Sequence, residues 1–248
     1  MKILVSNRHY FYYPMEYFIE STEKIGAKDI DFYGMMPHIW IDHYEYVGCE
    51  KIVSMLKEHC RRIQIFSPKS YNYCLYAPEE YHRDITERYY KNCILAAKQL
   101  GAEYMTLTLS GGYYDYACKQ MRKVAENSLL ELGEVANKCG VKILLETEPA
   151  VDSILLNSLE QMKYFWKYCK DVSGISVNMK TIEDNGELIE VWLDVFGDDI
   201  TYISFDGNFD EKVIAKNGYK GITGVRVNDD GCWDNPRDKD LSMFENEC

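Results

Sequence analysis

The residues best suited to chemistry in this chain are carboxylates, amides and one arginine that each close a short β-rich run. Glu146 and Glu148 follow KILL, Asn178 ends SGISVN, Asp206 follows ITYISF and Arg226 follows ITGV. Ser6, Asn7 and His9 close the first run of this kind, Tyr33 the second, Ser67 and Lys69 the third, and Ser110, Gly111 and Gly112 the fourth. Lys180, Asn208 and Asn228 lie at the later ends. Carboxylates move protons or hold cations, an arginine anchors an anion or neutralises a carboxylate, and amides and hydroxyls orient a polar ligand. Polar groups at this density suit a small polar ligand. All five histidines, at 9, 38, 43, 59 and 82, precede the fourth run, so the second half of the chain supplies no imidazole.

The elements that carry these residues alternate between two periods. Strands are expected at Lys2 to Ser6, Asp29 to Tyr33, Ile63 to Ser67, Tyr104 to Ser110, Lys142 to Glu146, Ser173 to Asn178, Ile200 to Phe205 and Ile222 to Val227. Between them run helical patterns: Ile85, Tyr89, Cys93, Ala96 and Leu100 form one apolar stripe, and Met121, Ala125, Leu132, Val135 and Cys139 another. These stripes end near Gly101 and Gly140, as helix C-termini often do. Eight strand-then-helix units over this length match a (β/α)8 TIM barrel, with a short last helix around Asp238 to Glu245. A doubly wound sheet is the rival α/β arrangement, but the first strand runs into Asn7, Arg8, His9 and Tyr10, and no GxGxxG or GxxxxGK[ST] occurs. In a barrel, chemistry lies at the C-terminal strand ends, where the polar residues above fall.

Composition bounds the function. With 28 basic and 40 acidic residues the formal charge is −12, which disfavours nucleic acid as a partner because a phosphate backbone needs a concentrated positive surface. The chain is 46% apolar and 27% charged, ordinary for a globular protein, and lacks the stretch of about 20 apolar residues that a membrane span needs. The start, MKILVSNRHYFYY, has no secretory-type apolar segment, so a cytoplasmic location is expected. Nine cysteines without CxxC or zinc-type spacing read as free thiols in a reducing compartment. We expect a single domain over residues 1–248.

The order of four segments resembles the xylose-isomerase-like barrel superfamily, which holds sugar isomerases, sugar and polyol epimerases, inosose dehydratases and AP endonucleases. PEEYHRDITERYYKNCILAAKQLGAEYMTLTLSGG is similar to the family's long third helix, its A…LGA turn and a fourth strand closing on a glycine pair. VKILLETEP resembles its fifth strand with the metal-binding Glu, FGDDITYISFDG its seventh-strand segment, and NGYKGITGVRV the approach to its last strand. The resemblance runs from Met1 to about Asn228. It implies a metal held by a Glu, an Asp, a His and a Glu from strands five to eight. Carried over, Glu146 matches, Asn178 stands at the Asp, Arg226 at the final Glu, and Ile203 at the His, or Ser204 if the register slips by one. The usual metal site therefore cannot form, and Arg226 would pair with Glu146 where the ion would sit, with Asn178 adding a hydrogen bond.

Several roles stay open. Glu146 faces a ligand or serves only a salt bridge with Arg226, and Glu148 is ligand-facing or merely solvated beside Pro149. Arg226 either stabilises the altered site or anchors an anionic group. Asn178 is a hydrogen-bonding filler or a ligand contact, and Asp206 contacts ligand or caps the helix after it. His9 is an acid or base, or a structural histidine. PHIWIDHYEY, with His38, Trp40 and His43, covers a sugar ring, contacts a protein, or packs over its own barrel. The expected function is a sugar isomerase or epimerase-like protein acting on or binding a small sugar, polyol or derivative, with no catalytic metal and no other cofactor. Arg226 would be the electrophile and Glu146 the proton carrier. The alternatives are an inactive barrel that binds a ligand or partner subunit, and a metal-free lyase or dehydratase. A homo-oligomer is compatible with any of these.

Overall fold

Each β-rich run becomes one strand of a closed parallel barrel in the computed structural model, which describes residues 3–70, 73–111, 118–206, 214, 216–227 and 236–238. The strands are β1 (Ile3–Ser6), β2 (Asp29–Gly34), β5 (Arg62–Pro68), β6 (Tyr104–Leu107), β7 (Lys142–Glu146), β8 (Ser173–Asn178), β9 (Ile200–Phe205) and β10 (Ile222–Val225). They neighbour one another in chain order, and β10 closes against β1 with Ile3 opposite Thr223. The expected strands at 104–110 and 222–227 are trimmed to 104–107 and 222–225. Between β2 and β5 the chain adds an antiparallel hairpin, β3 (Trp40–Ile41) and β4 (Tyr46–Val47), inside the segment expected as a long aromatic loop.

Helices α1 (Met15–Lys24), α2 (Cys49–Glu58), α3 (Glu80–Leu100), α4 (Cys118–Cys139), α5 (Leu159–Cys169), α6 (Met179–Asp184) and α7 (Ile189–Phe196) fill the connections. The two stripes read from sequence face inward. Tyr89, Cys93, Ala96 and Leu100 are buried on α3, as are Met121, Ala125 and Leu132 on α4. Gly101 and Gly140 follow these helices at φ +76° and +77°, left-handed positions that glycine adopts at no steric cost. The expected final helix is described only at 236–238, where the backbone is helical; the rest of it, with Gly112, Asn208 and Asn228, lies outside the described residues.

Strand alternation divides the core in two. Ile30, Phe32, Phe66, Ile143, Leu145, Ile175, Val177, Ile203 and Phe205 point outward into the large core beneath the helices. The interior carries a small apolar layer of Leu4, Ile65, Leu144 and Tyr202, one from every second strand, as barrel interiors are filled. Burying each such side chain is worth about 1.5–3 kcal/mol. Gly224 makes room for this layer, because a β-carbon there would fall on the Tyr202 hydroxyl. Above it, toward the C-terminal ends of the strands, the interior turns polar. Cysteines 49, 60, 74, 93, 139 and 169 are free thiols. Among the described residues no helix is long and apolar enough to cross a membrane.

Candidate functional site

Directly above the apolar layer, Arg226 reaches across the barrel. Its backbone N–H donates to the Phe205 carbonyl (2.7 Å), which fixes the residue just beyond β10 and turns its side chain inward. The guanidinium then donates from Nε to Asp31 Oδ2 (2.6 Å), from Nη1 to Glu146 Oε1 (2.6 Å) and from Nη2 to Ser67 Oγ (3.0 Å). Ser67 donates in turn to Asp31 Oδ1 (2.7 Å), Tyr202 Oη to Asp31 Oδ2 (2.8 Å), and Ser176 Oγ to Glu146 Oε2. The network joins β2, β5, β7, β8 and β9 to Arg226. Asp31 is 0% exposed, Arg226 6% and Glu146 8%. Burial opposes the charge on Arg226, but Asp31 and Glu146 outweigh it and hold the guanidinium firmly protonated.

The pair expected from sequence, Glu146 with Arg226, is therefore in contact. Asp31 and Tyr202 were not anticipated. Asp31 sits mid-strand in DIDFYG, flanked by Ile30 and Phe32, and a carboxylate inside a buried strand signals a charge that needs a partner. Tyr202 passes over the apolar layer to reach it. Ile203, placed at the family's histidine position, faces the outer core instead. Ser204, the residue that a one-residue slip would put there, is buried and accepts from Asn178 Nδ2 inside the barrel.

The remaining candidates divide. Asn178 accepts a hydrogen bond from the Thr181 N–H (2.9 Å), capping α6, and its Nδ2 donates to Ser204 Oγ (3.3 Å). Asp206 is raised above the usual carboxylate range by burial, which the charges of Arg8 and Arg226 and the Asn178 amide only partly offset. His9 is 3% exposed in a 3-10 turn after β1, with its ring 4.5 Å from that of Tyr10. Glu148 lies two residues past β7. Its carboxylate accepts from Ser110 Oγ (2.6 Å) and Ser70 Oγ (3.2 Å), and burial raises it above the usual range against those hydroxyls.

The aromatic segment stands at the rim. His38 is buried: its Nε2–H donates to the Tyr13 carbonyl (2.9 Å), and its Nδ1 accepts from Asn7 Nδ2 (2.8 Å). Asn7 also clasps Tyr33 through both backbone groups, so this histidine ties the β1 and β2 loops together. A cavity of about 370 Å³ opens between the hairpin and α3, lined among others by Trp40, Asp42, Lys69, Tyr73 and Tyr89. Trp40 is 47% exposed there, and the rings of Tyr73 and Tyr89 stack 3.6 Å apart.

Comparison with solved structures finds the same barrel at low identity. The 3-keto-D-glucoside 4-epimerase YcjR from E. coli superposes with a TM-score of 0.80 at 14% identity, covering 99% of each chain. D-psicose 3-epimerase from Clostridium cellulolyticum H10, solved with D-tagatose, gives 0.76 at 15% identity, covering 100% of this chain and 95% of the other. The IOLI protein, solved with a binding zinc atom, gives 0.75 at 14% identity, covering 100% and 99%. No curated protein sequence matches. The family profile described as Xylose isomerase-like TIM barrel matches residues 19–211. With its closed eight-stranded parallel barrel and that match, the chain belongs to the xylose isomerase-like TIM barrel family.

Proposed function

We propose that the barrel mouth binds a small uncharged sugar or polyol and works on it without a divalent metal. The observation that carries this reading is the guanidinium of Arg226 lying between Asp31 and Glu146. A hard or borderline cation needs free oxygen or imidazole ligands. Here both carboxylates accept from arginine, and among the described residues no group of three or more His, Cys, Asp and Glu converges as a metal site. The donor set does not fit the metal that the family resemblance implies.

The charge around the mouth favours an uncharged ligand. Asp31 and Glu146 already neutralise Arg226, so a sugar phosphate would have to compete with two buried carboxylates for the guanidinium. Hydroxyl groups of a polyol find acceptors in Glu148 and Asp206. Arg226, with three of its five N–H donors committed to Asp31, Glu146 and Ser67, retains donors for a ligand oxygen. Sugar epimerases among the structural neighbours support the ligand class.

A second reading, a binding barrel without turnover, is favoured by the contact that occupies Glu146 Oε1 with the Arg226 guanidinium. A thermal-shift screen of neutral sugars, polyols and sugar phosphates, with and without chelator, tests the proposal. Neutral ligands should raise Tm more than phosphates, and chelator should change nothing. About one tightly held divalent ion per chain, or binding that requires added metal, would overturn it. Proton NMR of each hit in heavy water separates turnover from binding.

A further inference from the structure

We propose that Glu148, and not Glu146, is the group that exchanges a proton with the bound ligand. This rests on the sugar and polyol reading above. The two carboxylates share strand parity two residues apart, yet their partners differ in kind. Glu146 Oε1 meets the Nη1 of Arg226, and a guanidinium only donates. That oxygen must remain an acceptor, so only Oε2, which accepts from Ser176 Oγ, could take a proton, and doing so would discharge the carboxylate that balances the buried guanidinium.

Among the described residues, the hydrogen-bond partners of the Glu148 carboxylate are hydroxyls. Ser110 Oγ lies 2.6 Å from Oε2 and Ser70 Oγ 3.2 Å from Oε1, with Thr108 Oγ1 2.9 Å behind Ser110. A hydroxyl donates to a carboxylate or, after rotating its proton, accepts from a carboxylic acid. The cluster therefore holds both protonation states of Glu148 with the heavy atoms in place, which a proton carrier requires. Among the described residues no lysine, arginine or histidine forms an ion pair with Glu148. Among the described residues, the titratable groups whose charge acts on or responds to it are Glu146 at the end of β7, Tyr90 on α3, and Tyr76 in the segment before α3. None of these carries positive charge, and burial adds to the preference for the acid form.

The cluster is also well anchored. Gly111 N–H donates to the Asp152 carbonyl (2.7 Å), Ser153 Oγ donates to the Leu109 carbonyl (2.5 Å), and Glu148 N–H donates to the Leu156 carbonyl (3.1 Å). The loops after β6 and β7 are thereby clasped together around the carboxyl. With a ketose bound, the step is balanced within the site. The Glu148 carboxylate takes the proton from the carbon beside the carbonyl, and the C–H electron pair forms the C=C bond of an enediolate as the carbonyl π pair moves onto oxygen. Return of the proton from the Glu148 acid to the same face of that carbon restores the ketose, and a deuteron picked up from heavy water in between is left on it.

Two measurements test this. The first needs no ligand: unfolding of the wild type and of Glu148→Gln is followed by urea between pH 4 and 8. Because the native state holds its proton at Glu148 to a higher pH than the unfolded chain, wild-type stability should fall relative to the variant as pH rises above the ordinary carboxylate range. Parallel pH profiles would mean that Glu148 does not titrate as proposed and would overturn the inference. The second incubates the wild type with D-tagatose or D-fructose in heavy water. Deuterium should enter the ketose, with the rate at least 100-fold lower in Glu148→Gln and partly restored in Glu148→Asp. Binding without exchange in the wild type, or exchange lost in Glu146→Gln but kept in Glu148→Gln, refutes Glu148 as the carrier while leaving the sugar reading intact. Failure of either ketose and of every polyol to raise Tm refutes the sugar reading itself.

Discussion

Removing the Arg226 side chain is the most severe test of the interior network. In Arg226→Ala, Asp31 keeps only the hydroxyls of Ser67 and Tyr202, and Glu146 only that of Ser176. Two buried carboxylates then share one layer with no cation. Breaking a buried pair by removing one partner costs about 3–5 kcal/mol, and a chain of this size loses roughly 2–4 °C of Tm per kcal/mol. The expected fall is therefore on the order of 10 °C, with a matching drop in the urea midpoint at unchanged m-value. Arg226→Lys should fall between, because one ammonium cannot fork to Asp31 and Glu146 together. In a double-mutant cycle with Asp31→Asn, the two losses should fall short of additive by about 1–3 kcal/mol. A cost of Arg226→Ala below about 1 kcal/mol, or strict additivity with Asp31→Asn, would refute the network as the element that fills the barrel mouth.

Three further outcomes follow from neighbouring contacts. Gly224→Ala should cost about 1–3 kcal/mol by thermal unfolding, because its β-carbon displaces the Tyr202 hydroxyl that donates to Asp31; unchanged stability would mean that Tyr202 moves freely. Asn178→Ala should cost about 1 kcal/mol through loss of the α6 cap, and Asn178→Asp, which keeps the acceptor, should recover most of it; equal losses would show that the amide's bond to Ser204 matters more. His38 is pushed below the ordinary histidine range by burial, so its neutral form belongs to the folded state and the unfolded chain takes up its proton first. Stability should therefore decline as pH falls below about 6.5, with a slope of at most about 1.4 kcal/mol per pH step of one, and this decline should be reduced in His38→Gln; an identical acid limb in both proteins would remove His38 from the account.

The barrel was legible because each strand combines β-branched residues, alternation and a bounded length, so most strand ends fall within a residue or two of the structure. Glu146 and Arg226 were legible as a pair because both close strands, and strand ends in a barrel converge on one mouth. Asp31 was not, since it lies in the middle of β2, and mid-strand positions read as packing unless parity is counted inward. Counting it places Asp31 and Tyr33 on the barrel side and Ile30 and Phe32 on the helix side. The same count on β9 turns Tyr202 and Ser204 inward and Ile203 toward the helices. The two omissions have one cause: matching a family's ligand positions finds what a metal would touch, whereas an arginine in its place is held by whichever buried acid can reach it from across the barrel. Asp31 reaches it from β2, which contributes none of the ligands that the resemblance implied. Charge balance, more than alignment, is then the signal to follow: an inward arginine bonded to a strand-end glutamate makes a second buried carboxylate tolerable, and DIDFYG was where the sequence offered one.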